Sequence, residues 1–228
     1  MNFTKSLEVM RTFTYIIFLF TCLLTAGWTS AQQDSRADRY LQAVSDQFDM
    51  TEGYRIEVDY IRKDIMRGTS AEGEGTIWMK GLKYKMEVNE YIVYFDGETQ
   101  YSQNTDAEEV YVSTPDPEQP GYLQAVPIRI LKSYRDFKYQ LIGSSTFMGK
   151  ERIEIQLYPQ DLTGPYSLLK LFIQPQSLKL TGIQLKHKEG IEYTMLLRKV
   201  EGNQQFDDTM FTFDPSAYPD TEVIELIE

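Results

Sequence analysis

From Tyr54 onward the chain switches between apolar and polar residues at almost every step. Tyr54, Ile56, Val58 and Tyr60 alternate with Arg55, Glu57 and Asp59. Ile77 and Met79 share a parity within Gly75 to Lys80, and Tyr84, Met86 and Val88 alternate with Lys83, Lys85 and Glu87. Successive side chains of a strand point to opposite faces, so a period of two predicts strands with one buried and one wet face, the pattern of an antiparallel sheet. Tyr91 to Phe95 reads as a fourth strand, closed by the hairpin turn Asp96-Gly97. Thr99 to Gln103 and Val110 to Val112 follow. After an interruption the alternation resumes at Phe137, Tyr139 and Leu141, then at Ile153, Ile155 and Leu157, and then at Leu169, Leu171 and Ile173. Ile183, Leu185 and His187 continue it, Gly190 turns the chain, and Ile191, Tyr193, Met195 and Leu197 return. Met210 to Phe213 reads as a short last strand, for about eleven strands in all.

Two stretches have the helical period instead. Ala37, Leu41, Val44 and Phe48 share one face of a predicted helix from Ser35 to about Met50, with Ser35 and Asp38 as an approximate capping box and Gly53 as its stop. In the middle, Pro115, Pro117 and Pro120 mark a loop. Leu123, Val126, Ile130 and Tyr134 then lie at helical spacing from Tyr122 to about Tyr134, with Pro127 as a kink. The fold class expected is mainly β (α+β): a curved antiparallel sheet or unclosed barrel with an N-terminal helix and a central helical lid. A sheet of about eleven strands offers more face than two helices of ~12 residues cover. The uncovered part is expected to form an apolar cavity lined by Ile56, Val58, Tyr60, Ile77, Met79, Tyr84, Met86, Val88, Ile92 and Tyr94, with Leu123, Val126 and Ile130 as the lid. Ordinary core packing accounts for most of the same side chains.

Lys5 and Arg11 precede an apolar run from Thr12 to Leu24, and Thr29-Ser30-Ala31 follows. That order predicts a secretory signal peptide over residues 1–31, ahead of one domain over 32–228. The run of ~13 residues is short of the roughly 20 that a spanning helix needs. Cys22, the only cysteine, lies inside it, so the exported chain is expected to have no disulfide. Lipidation of Cys22 would call for a small residue before it, where Thr21 stands. The formal charge is −11, and without Lys5, Arg11 and Glu8 it is −12. Such a surface repels nucleic acid and disfavours stable adsorption to anionic lipid.

Catalytic chemistry finds little to work with. His187 is the sole histidine and reads as an exposed strand residue between two lysines. Without a histidine pair or a cysteine cluster there is no zinc pattern, and no glycine-rich phosphate loop occurs. Glu108-Glu109 and Asp207-Asp208 read as solvated acids, and Asp106, Asp116 and Asp161 do not follow a calcium loop. No catalytic residue, metal or cofactor is assigned, and the chain reads as a binding protein.

Several segments in order resemble the LolA family, the periplasmic carriers of outer-membrane lipoproteins. Glu72-Gly73-Glu74-Gly75-Thr76-Ile77-Trp78-Met79-Lys80 is similar to the family's Gly-x-Gly-x-Leu-Trp-x-Lys strand, and Lys83 to Glu87 to the strand after it. Ile92 to Thr99 is similar to its strand, Asp-Gly turn and next strand. Met210-Phe211-Thr212-Phe213-Asp214-Pro215 and Val223-Ile224 are similar to its closing elements. The resemblance covers about residues 35 to 226. It implies an unclosed barrel with a helical lid over a hydrophobic cavity, a periplasmic location, and a monomer that takes the acyl chains of lipoproteins or lipids from an inner-membrane transporter to an outer-membrane acceptor. One departure stands out: where the family commonly has Arg-Pro after the Trp-x-Lys strand, this chain has Gly81-Leu82. Two other roles use the same fold. One is a periplasmic lipid-sensing regulatory module, which normally has a second domain, whereas this chain ends soon after Ile227. The other is an outer-membrane acceptor lipoprotein, which requires an acylated Cys22.

Overall fold

The computed structural model describes residues 34–49, 51–114, 130–160 and 162–226. The predicted signal peptide, Cys22 and the lid residues Leu123 and Val126 lie outside them.

Twelve strands make one sheet. The first six are β1 (Gly53–Asp64), β2 (Thr69–Lys80), β3 (Lys83–Val88), β4 (Tyr91–Phe95), β5 (Gln100–Asn104) and β6 (Glu109–Ser113). The second six are β7 (Phe137–Phe147), β8 (Lys150–Pro159), β9 (Tyr166–Ile173), β10 (Leu180–His187), β11 (Ile191–Gln204) and β12 (Glu222–Glu225). Their order is β12-β6-β5-β4-β3-β2-β1-β11-β10-β9-β8-β7. It consists of two meanders joined where β1 runs antiparallel to β11, and the curved sheet stays unclosed, with β12 and β7 at its edges. Among the described residues only β12 pairs parallel, along β6.

Register defines the inner face. Ile56 stands opposite Ile77 and Ile77 opposite Met86, while Val58 stands opposite both Gly75 and Leu197. Across β11 to β8 the row continues through Met195, Ile183, Leu171 and Ile155. Directly opposed residues share a face, so these apolar side chains form one surface. Helix α1 (Ser35–Ser45) and the short α2 (Ile130–Ser133) join the same apolar cluster through Ala37, Leu41, Val44, Ile130 and Leu131.

The elements depart from the sequence reading where the pattern is weak. Asp34, not Ser35, caps α1, its carboxylate accepting from the Arg36 N–H at 3.0 Å. The helix ends at Ser45, yet Phe48 beyond it is still buried. β2 starts at Thr69, because its first half is paired to β1 although it holds almost no apolar side chain. Asp208–Phe211 is a 3₁₀ turn rather than a strand, capped by the Asp207 carboxylate, and the last strand is β12. A bulge between Leu141 and Gly143, with Gly143 at φ 99°, reverses the parity of β7. Phe147 consequently lies on the outer face, stacked on Phe172 at 4.0 Å above Gly182. A Cβ on Gly182 would sit 2.2 Å from the Phe147 ring, so only glycine admits that stack.

Candidate functional site

Strands β1 to β3 bring together most of the predicted cavity residues. Ile56, Val58 and Ile77 are fully buried, and Met79 and Tyr84 are 1% exposed, all in the main apolar cluster with Met86 packed against it. Val88 is buried and stands opposite Gly75 on the same face. Tyr60 shares that face opposite Met195, its ring 6.2 Å from that of Tyr193. Burial, and then the neighbouring Tyr193, push the Tyr60 phenol up to about 12.

Ile92 and Tyr94 do not belong to this set. In the β3–β4 register Val93 opposes Met86 and Phe95 opposes Tyr84, so the even positions of β4 face outward. There Tyr94 forms a second cluster with Val110 and Phe213, and Ile92, Tyr101 and Tyr218 pack on it. Phe213 meets Tyr94 edge-on at 6.2 Å and stacks on Tyr218 at 5.6 Å. The closing Phe-x-Phe-x-Pro segment is thus a strap on the outside of the sheet. Shifting by one residue exchanges the two faces of a strand.

The inner face is covered in this conformation. The expected bare area at Ile56, Val58, Ile77, Met79 and Tyr84 is closed to solvent, so a guest there must displace what covers it. Ile130, predicted as a lid residue, is fully buried in α2 against the cluster. What ties α1 to the chain from α2 onward is a set of side-chain hydrogen bonds, from Lys132 in α2, Tyr134 and Arg135 in the 3₁₀ turn that follows it, and Tyr139 on β7. The Tyr134 hydroxyl donates to Asp38 Oδ1 at 3.3 Å and to Gln42 Oε1 at 3.2 Å, and the Tyr139 hydroxyl donates to Asp38 Oδ1 at 3.0 Å. Arg135 donates to Gln42 at 2.8 Å, and Lys132 to the Ser45 carbonyl at 2.9 Å. Burial, and then the bond to Asp38, push the Tyr139 phenol up to about 12. Sequence patterning missed this latch. Asp38 and Gln42 are polar neighbours one helical turn apart, but their tyrosine partners are about a hundred residues away.

An open cavity of about 420 Å³ lies at one rim of the sheet, lined by Thr51, Lys80, Gly81, Leu82, Lys83, Gly97 and Asp208. Lys80 and Lys83 reach Asp208 at 3.1 and 2.7 Å, and Lys83 first, then Lys80, hold its carboxyl below the usual range. Here the chain departs from the resembling family. Gly81 turns at φ 59°, and the flanking lysines bind the β2–β3 turn to the 3₁₀ turn at 208–211. Among the described residues neither this rim nor the inner face gathers nucleophile, base and oxyanion donors. Nor does any group of three or more His, Cys, Asp or Glu side chains among them offer a metal site. No helix among them is long and apolar enough to cross a membrane. His187 is not exposed as expected: its side chain is 12% exposed, edge-on to Tyr166 at 5.6 Å, and its Nδ1 accepts from the Glu189 N–H.

Comparison with known proteins follows the same lines. The family model for the outer membrane lipoprotein carrier protein LolA matches residues 63–214. No curated protein sequence matches the chain. Among solved structures, an uncharacterized conserved protein from Thermus thermophilus superposes with a TM-score of 0.52 at 8% identity, over 84% of this chain and 100% of that one. A LolA superfamily protein from Nitrosomonas europaea is similar at a TM-score of 0.40 and 9% identity, over 78% of this chain and 97% of that one. LprF from Mycobacterium bovis gives 0.42 and 10%, over 77% and 96%.

Proposed function

The chain belongs to the outer membrane lipoprotein carrier protein LolA family, and we propose that it is a periplasmic carrier which takes the acyl chains of lipoproteins or lipids onto the inner face of its sheet. The observation that carries this reading is an apolar face running from Met86 through Ile77 and Ile56, across β11, to Leu171, closed by α1 and α2, with α1 held in place by side-chain hydrogen bonds from Lys132, Tyr134 and Tyr139. Acyl chains exposed to water cost about 0.8 kcal/mol per methylene, so a carried chain gains by replacing the cover on this face. The latch bonds contribute only about 0.5–1.5 kcal/mol each, so the cover can lift and reclose. Reclosing recovers the apolar contacts of Leu41, Val44, Ile130 and Leu131 and favours release. Uptake and release of this kind need no catalyst, and we read the chain as a binder rather than an enzyme.

In this reading residues 1–31 are removed on export, and the loaded protein moves as a monomer between an inner-membrane transporter and an outer-membrane acceptor. Titrating the exported protein with a fluorescent fatty-acyl probe tests the cargo site. Saturable binding, competed by a diacylated lipopeptide, is expected. If probe fails to bind both to the parent and to a variant with a loosened latch, the carrier reading is wrong. Intact mass of the exported protein tests the processing, with a start at Gln32 expected.

A further inference from the structure

Hairpin tips are ordinarily polar, because nothing covers them. The β1–β2 tip breaks that rule. Met66 is 82% exposed and Ile65 is 59% exposed, and Leu162 in the β8–β9 loop is 79% exposed. Met66 and Leu162 are the two most exposed large apolar side chains among the described residues. They are neighbours through the β10–β11 turn. Ile65 donates its N–H to the Gly190 carbonyl at 2.9 Å, and a Cβ placed on Gly190 would lie 3.0 Å from Met66 Cγ. On the other side, Lys188 donates its N–H to the Pro165 carbonyl at 2.8 Å and its ammonium to the Leu162 carbonyl. Three loops thus converge at one rim and present three apolar side chains together.

The tip is also preorganised. The buried Asp64 carboxylate accepts from the Arg67 N–H at 2.9 Å and from its guanidinium at 3.2 Å, and Gly68 takes φ 65°. Ile65 and Met66 are therefore held in water on an ordered turn, an arrangement that a solitary fold has no reason to keep. Local charge names the partner. The segments 62–69, 160–166 and 186–192 carry Arg62, Lys63, Arg67, Lys186 and Lys188 against Asp64, Asp161, Glu189 and Glu192. The ion pairs Asp64–Arg67 and Glu192–Lys186 cancel, which leaves Arg62, Lys63 and Lys188 against Asp161 and Glu189. The chain's net charge of −11 disfavours anionic lipid over the molecule as a whole, and these three segments stand apart from it with one net positive charge. Exposed apolar tips with cations around them match the interface of an anionic bilayer, where apolar side chains reach the acyl boundary and cations meet headgroups.

We propose that this rim is a shallow membrane-docking element which inserts Ile65, Met66 and Leu162 into the surface of a bilayer containing anionic lipid. It lies on loops apart from the inner-face residues assigned to acyl chains, so the two can be separated. Cosedimentation of the exported protein with vesicles of phosphatidylcholine and phosphatidylglycerol is the test. The parent should partition onto them, and less onto pure phosphatidylcholine. Met66→Ser with Leu162→Ser should lower partitioning about tenfold or more through lost apolar insertion, with melting and acyl-probe binding unchanged. Leu82→Ser, at the opposite rim, should leave partitioning as in the parent. Absence of parental binding, preference for the uncharged vesicles, or equal partitioning of parent and rim variant would overturn the proposal, whatever the acyl-probe result.

Discussion

Changing Tyr134→Phe together with Tyr139→Phe removes three hydroxyl contacts from the latch, two to Asp38 and one to Gln42, while keeping both rings in the core. Bonds to a charged carboxylate are worth more than neutral ones, but Asp38 is partly exposed, so the set contributes about 2 kcal/mol to cover closure. If the closed cover is what excludes a guest, loosening it by that amount raises the competent fraction, and apparent affinity rises in the same proportion, roughly 30-fold. The variant should also melt about 4–8 °C lower, given ~2–4 °C per kcal/mol for a domain of this size. The expected signature is a less stable protein that binds more tightly. It is read from an acyl-probe titration beside a thermal melt of the same preparation. A lower melting point with unchanged or weaker probe affinity refutes the gating role of the bonds from Tyr134 and Tyr139 to α1.

Gly75→Ala would place a Cβ 2.5 Å from Val88 Cγ2 and 2.6 Å from the Glu87 carbonyl; overpacking of this kind costs about 1–3 kcal/mol, to be seen as a lower urea midpoint with an unchanged slope. Tyr60 and Tyr139 ionise at about 12 in the folded protein, against an ordinary value of 10. Because folding raises both values, their contribution is intact below pH 10 and is lost as pH rises from 10 to 12. Tyrosinate absorbance in this interval should follow unfolding, and a plateau of stability through its upper end would contradict it.

Much of this was legible because β1, β3 and the second half of β2 carry a readable parity. Arg55, Glu57, Lys83 and Lys85 stand between apolar neighbours, so Ile56, Ile77 and Met86 could be placed on one face without a structure. β4 is different. Tyr91-Ile92-Val93-Tyr94-Phe95 is apolar at both parities, and only its pairing with β3 decides that Val93 and Phe95 turn inward. The β7 bulge was equally hidden: Phe137 and Phe147 are an even number apart, and one extra residue at the Gly143 turn sends them to opposite faces. β12 was unreadable as a strand because four residues with two glutamates carry no period. It exists by pairing beside Val110 and Val112 and through the Phe213 strap. The latch joins residues from distant segments by single side-chain contacts, and such contacts leave no periodic trace.

The junction between β1 and β11 has a consequence for how the protein comes into being. Each half of the sheet is a run of hairpins that can zip locally, but Ile56 pairs with Val200 and Asp64 with Ile191. A newborn chain therefore holds β1 with one side unsatisfied until β11 has been made. Closing so long a loop is slow, because its entropy is lost before its contacts form. Refolding should accordingly pass through two half-sheets, and the last event should be the meeting of the earliest strand with one of the latest.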